Sequence, residues 1–258
     1  MKTTTAKTTA ARALILSLLT GTACGGGGAA SAPSTSPSAG EHGDHAGEHG
    51  DHAAAAAPAQ HEHHGGMPHR FERAEDWARL FDDPSREAWQ KPDEVVTLLQ
   101  LSPGMTVVDL GAGTGYFLSR LSRAVGPTGS VIGTDIEPDM VRYMKERAQR
   151  EGMANVRAIA APTDDVGIPA GSADRILVVD VWHHVGDRER YAARMARALR
   201  PGGAVAIVDF TLESRRGPPA HHRLAADKVI AELRAGGLSA ELATESLPDQ
   251  YVVIGRRP

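Results

Sequence analysis

From Thr106 onward the chain alternates short apolar runs with longer stretches whose apolar residues recur every three or four positions. Thr106-Val107-Val108-Asp109-Leu110 has the length and β-branched content of a buried strand, and Ser130–Thr134, Val156–Ala160, Arg175–Val181 and Ala204–Phe210 repeat the type. Arg175–Val181 contains a continuous apolar run, as expected of a strand covered on both faces. Between these runs, 116–124, 138–151 and 188–199 have helical spacing, and Arg200-Pro201-Gly202-Gly203 reads as a turn. Strands alternating with helices predict a mostly parallel, doubly wound sheet. Leu224–Ala235 predicts one more helix, and short strands near 238–244 and 250–256 finish the chain. Upstream, Trp77, Leu80 and Phe81 are spaced for a helix over Glu72–Phe81, which Asp82-Asp83-Pro84 ends. A second helix is expected from Pro84, since proline suits a first helical turn, and a third over Pro92–Leu101.

The first seventy residues break this pattern. Lys2, Lys7 and Arg12 precede a short apolar run, Ala13 to Leu19, and the small residues Gly21-Thr22-Ala23. That order is a secretory signal over 1–23, with an apolar run too short to anchor in a bilayer. Cys24, followed by Gly25 to Gly28, resembles a bacterial lipoprotein processing site, with Gly21 where such sites usually carry leucine. Export and a lipid anchor at Cys24 are therefore expected, with ordinary cleavage near Ala23 as the alternative. Residues 24–69 are rich in Gly, Ala, Pro and His and hold too little apolar surface to offset their ordering entropy, which predicts a disordered tether. Eight histidines stand between His42 and His69, and Glu41-His42-Gly43-Asp44-His45 is nearly repeated at Glu48–His52. Imidazoles beside carboxylates suit weak divalent-metal binding over 41–69; a soluble spacer is the plainer reading. The remaining domain, 70–258, divides into a helical portion, 70–104, and a core, 105–258.

Composition narrows the chemistry. The single cysteine excludes an internal disulfide, a Cys-based zinc site and a catalytic thiol within the domain. A net charge of −4, from 28 basic and 32 acidic residues, gives no support for a nucleic-acid partner. Within Gly111-Ala112-Gly113-Thr114-Gly115 the glycines let the backbone approach a ligand closely, where a Cβ would collide with it. A dinucleotide loop needs its third glycine three residues after the second, and Tyr116 stands there, so a nicotinamide cofactor is disfavoured. Asp135 closes the second strand, where a carboxylate can accept both hydroxyls of a ribose. Asp164 or Asp165, after the third, can accept from an adenine amino group.

Together Val107–Gly115, Gly133-Thr134-Asp135, Asp164-Asp165 with Ile168-Pro169, and Leu199–Gly203 resemble class I S-adenosylmethionine (SAM)-dependent methyltransferases, nearest to the ubiquinone/menaquinone-biosynthesis-like small-molecule group. The resemblance covers 95–258. It implies an α/β, Rossmann-like, seven-stranded sheet with a C-terminal antiparallel hairpin, preceded by N-terminal helices. It also implies SAM as cofactor and a small-molecule methyl acceptor. Asp109, Gly111, Ala112, Gly113 and Gly115 would hold the methionine part, Asp135 the ribose, and Asp164 or Asp165 the adenine, with Ile136 also among the cofactor-binding residues. Asp180, His183 and His184 end the fourth strand, where an open sheet presents groups to its ligand; they are the candidate acid/base or positioning residues. His221 and His222 are weaker candidates. Trp77 and Trp89 would either wall the substrate pocket or pack in the core. An export signal on a domain that uses a cytosolic donor leaves a rival: a tethered, non-catalytic metal- or ligand-binding lipoprotein on the same scaffold.

Overall fold

The computed structural model describes residues 73–258. The expected signal, Cys24 and the histidine segment lie outside the described residues, as does the start of the first expected helix at Glu72. Three short helices open the described part: α1 (Ala74–Phe81), α2 (Arg86–Gln90) and α3 (Pro92–Leu98). The core follows as β1 (Thr106–Leu110), α4 (Leu118–Val125), β2 (Ser130–Asp135), α5 (Pro138–Arg150), β3 (Val156–Ala160), β4 (Ala173–Val179), α6 (Arg188–Ala198), β5 (Leu199–Phe210), α7 (Ala226–Ala235), β6 (Ser239–Leu242) and β7 (Gln250–Arg256). Single 3-10 turns at Trp182–His184 and Ala220–His222 follow β4 and β5.

The seven strands form one sheet in the order β3-β2-β1-β4-β5-β7-β6. β1 to β5 pair in parallel, and β7 runs antiparallel between β5 and β6. Side chains alternate across it. Val108, Leu110, Ile176, Val178, Val205 and Ile207 face Met195 of α6 and Leu233 of α7. Val107, Leu177, Ala206 and Val208 face Leu118 and Leu121 of α4, Met144 of α5 and Val95 of α3. Burial on both faces is why the strands read as unbroken apolar runs.

Several expected boundaries move: α3 ends at Leu98 rather than Leu101, and α4 spans Leu118–Val125 rather than 116–124. The fourth strand spans Ala173–Val179 rather than 175–181, because Asp180 takes a left-handed backbone (φ 58°) that no strand can carry. The expected turn at 200–203 lies inside β5. Its pairing with β4 jumps from Ala173–Leu199 to Arg175–Ala204, and Arg257 of the chain's end exchanges backbone hydrogen bonds with Gly202 and Gly203. The second helix begins at Arg86, two residues past Pro84, because Asp83 turns the chain back by accepting the Ser85 N–H at 2.7 Å.

Candidate functional site

The carboxyl ends of β1, β2 and β4 lie side by side, since β1 is the strand between the other two. Each ends on a carboxylate or a sharp turn. β1 delivers Asp109, only 3 % exposed, with an Oδ2 that has no hydrogen-bond partner among the described residues. Burial, and then the charge of Asp135, push this carboxyl up to about 7; Arg86 opposes them. The chain then turns at Gly111 (φ 69°), Gly113 (φ 56°) and Gly115 (φ 82°). A Cβ on Gly111 would stand 2.6 Å from Cγ2 of Val181, so the turn is packed against the segment that follows β4 as well as held at a φ that favours glycine.

Asp135 ends β2 and accepts the N–H of Gly113 at 2.9 Å and that of Glu137 at 3.0 Å. Burial raises its pKa, and these two amides hold it down. It thereby fixes the glycine turn as well as facing it. Ile136, beside it, is half exposed, which is unusual for so large an apolar side chain. Asp164 and Asp165 are held together by Arg194 of α6, at 2.9 and 3.7 Å. Asp165 also accepts the Gly167 N–H, whereas the Asp164 side chain is mostly exposed.

At the end of β4, Asp180 and the two histidines part company. His183 is buried and its Nδ1 lies 2.9 Å from Asp209 Oδ1, while its backbone N–H donates to Oδ2 of the same carboxylate. Its ring is thus turned inward onto β5. His184 is partly exposed, with its ring 4.2 Å from that of His183. Asp180 is partly exposed, and burial together with the charge of Asp209 pushes it up to about 7, against the favourable charges of Arg86 and His183; its Oδ1 accepts from Nε2 of Gln250, whose Oε1 accepts from Gln90. The rings of His221 and His222, after β5, lie 4.1 Å apart and tilted by 47°.

The opening helices cover this end of the sheet. Phe81 is packed over the turn, such that a Cβ on Gly113 would meet its ring at 3.3 Å. Asp82 accepts from Thr114 Oγ1 at 3.0 Å and pairs with Arg147 of α5 at 2.9 Å. Trp77 stacks on Phe81, and Trp89 lies tilted against Phe210 at 5.9 Å, so each tryptophan belongs to the cover's packing. Arg86 lies over the ring of Tyr116 at 4.1 Å. A groove of about 400 Å³ between α5 and Ala160 touches none of the strand-end carboxylates.

Sequence reasoning passed over four of these residues. Asp209 was legible as the lone charge in the apolar run Ala204–Phe210. Arg86, Gln90 and Gln250 carried no signal, because their meeting depends on packing a cover helix against β7, which no local pattern reports.

Comparison with known proteins agrees with this geometry. A family model described as "Methyltransferase domain" matches residues 101–244. The ubiquinone/menaquinone biosynthesis C-methyltransferase UbiE of Pasteurella multocida is 33 % identical over 109 residues, 42 % of this chain and 41 % of that protein. The chain thus aligns with less than half the length of such curated relatives. A SAM-dependent methyltransferase from Aquifex aeolicus superposes with a TM-score of 0.67 at 27 % identity, covering 71 % of this chain and 98 % of the other. The [4+2]-cyclase SpnF has the same fold, with a TM-score of 0.56 at 16 % identity, over 66 % of this chain and 80 % of the other; fold alone does not dictate reaction. The chain belongs to the methyltransferase-domain family, as a class I SAM-dependent methyltransferase domain distantly related to UbiE.

Proposed function

We propose that this domain transfers a methyl group from SAM to a small molecule bound at the end of β4. The observation that carries the reading is the unpartnered Oδ2 of Asp109 beside a turn that only glycines can make. A buried carboxylate without a donor is costly, and the α-ammonium of the methionine part supplies one. Gly111 and Gly113 let the backbone lie close to that moiety. Asp135 retains lone pairs for two ribose hydroxyls, the exposed Ile136 offers an apolar face to the adenine, and Asp164, the more exposed of its pair, is the better placed to reach the amino group.

SAM supplies a methyl already activated by a sulfonium charge. The chain's part is to align the acceptor in line with that carbon and exclude water. Asp180, poised near neutrality, takes the acceptor's proton as the new bond forms. His184 orients the acceptor, and His183, locked onto Asp209, holds the turn that presents both. Because the curated relatives are named for C-methylation in ubiquinone/menaquinone biosynthesis, phenolic quinone precursors are the first acceptors to try. The order of charges, apolar run and Cys24 at the amino terminus supports export with a lipid anchor, which mass spectrometry of the membrane fraction tests. The function itself is tested with methyl-tritiated SAM and an acceptor panel. His184→Ala is expected to keep SAM affinity and lose turnover; unchanged turnover removes His184 from the mechanism.

A further inference from the structure

A polar chain runs from the cover helices to Asp180. Arg86 of α2 donates from Nε to Oε1 of Gln90 at 2.8 Å, and from Nη2 to the same oxygen. Gln90 donates from Nε2 to Oε1 of Gln250 at 2.7 Å. Gln250, at the start of β7, donates from Nε2 to Oδ1 of Asp180. Both amides are buried, at 0 % and 1 % exposure, so water does not substitute for their partners. Arg86 Nη2 stands 3.9 Å from Asp180 Oδ2 and closes the ring.

The two ends dictate the polarity of the chain. A guanidinium only donates, so Gln90 must turn its oxygen to Arg86 and its NH2 to Gln250. Gln250 must then turn its oxygen to Gln90 and its NH2 to Asp180. An ionised Asp180 accepts that hydrogen bond. A protonated one can still accept, but more weakly, and it cannot donate back, because both amide oxygens are turned away from it, that of Gln90 to Arg86 and that of Gln250 to Gln90. The arrangement therefore favours the carboxylate, in a buried setting where aligned hydrogen bonds reinforce one another.

We infer that Gln250 is a positioning residue for methyl transfer: it carries this directed chain, so that docking of the cover helix α2 onto β7 holds Asp180 ionised and aimed at the acceptor. This rests on the reading that Asp180 receives the acceptor's proton. The left-handed backbone at Asp180 takes the residue out of β4, and the hydrogen bond from Gln250 fixes its carboxylate there. The other charged groups around Asp180 are Arg86 on α2, which favours its ionisation, Asp209 on β5, which opposes it, and His183 in the turn after β4, which favours it.

The test needs neither SAM nor acceptor. The carboxyl carbon of Asp180 is followed by NMR against pH in the full chain labelled at aspartate, with Asp180→Asn assigning the signal. In Gln250→Met, of similar volume and without a donor, the Asp180 midpoint is expected to rise by about one pH unit, the size of a lost hydrogen bond to a charged group. The Asp109 and Asp135 midpoints should stay in place. Gln90→Met, which cuts the chain one link earlier, is expected to raise the Asp180 midpoint by a smaller amount, and it serves as the reading if Gln250→Met does not fold. An unmoved Asp180 midpoint in the folded variant overturns the inference, as does an equal shift at all three aspartates. Loss of SAM binding or turnover in the unsubstituted protein would instead strike at the proposed function, and leaves this titration intact.

Discussion

Asp109→Asn should make the protein more stable at pH 8 and less able to bind SAM. Asp109 is nearly fully buried, and its carboxyl is raised from the usual 3.8 to about 7, first by burial and then by Asp135. At about 1.4 kcal/mol per pH unit, that displacement corresponds to roughly 4 kcal/mol of strain on the ionised folded state. The sign follows from proton uptake. Between about pH 4 and 7 the folded chain holds a proton that the unfolded chain has lost, so this group's contribution weakens stability as pH rises through that window. Above pH 7 the whole penalty is present; below pH 4 it is gone. Asparagine removes the charge but leaves amide groups to satisfy, at a cost of about 1–3 kcal/mol. The net gain at pH 8 is about 2 kcal/mol, which for a domain of this size raises Tm by about 4–8 °C. Near pH 4.5 the gain should vanish or reverse. Thermal melts of both proteins at the two pH values, with and without millimolar SAM, read this directly. SAM should raise the Tm of the parent, by about 2.7 kcal/mol equivalent at a hundredfold excess over Kd, and raise that of the variant much less. An Asp109→Asn protein that melts at or below the parent at pH 8 refutes the reasoning, because Asp109 would then have a partner or solvent access that the structure does not give it.

Other consequences can be checked alongside. Gly111→Ala forces a Cβ to within 2.6 Å of Val181 at a positive φ; calorimetry should find SAM binding lost, and chemical denaturation a loss of about 1–3 kcal/mol. Asp135→Ala removes both the acceptor for Gly113 N–H and the proposed ribose partner, and should weaken SAM binding at least tenfold by calorimetry. Arg147→Ala unties the cover, since Arg147 bridges Asp82 and the Thr114 carbonyl; limited proteolysis should cut faster between α1 and α2 while the core stays intact. Glu232→Leu leaves Trp182 Nε1 and Arg188 without their shared partner; denaturation should show a loss of about 2–4 kcal/mol without a change in SAM affinity.

How much of this was legible in the sequence varies with the range of the interaction that decides it. β1 and β3 begin and end where their apolar runs do, and α5 runs from Pro138 to within a residue of its expected end, because local pattern and proline chemistry set those limits. The strand ends that carry Asp109 and Asp135 were legible for the same reason. β4 was displaced by two residues: Val181 extends the apolar run in sequence, yet it packs against Gly111 after the chain has turned at Asp180. The inward turn of His183 was hidden because its partner, Asp209, lies 26 residues away on a neighbouring strand. The Gln90–Gln250 pair, 160 residues apart, is beyond any local reading.

One titration bears on everything above: SAM into the full chain by isothermal calorimetry, with NAD as control. Saturable micromolar binding of SAM, none of NAD, and a marked weakening in Asp135→Ala are the expected results. No heat with SAM, or equal binding of NAD, would contradict the assignment of the glycine turn and its three carboxylates to a SAM-dependent methyltransferase.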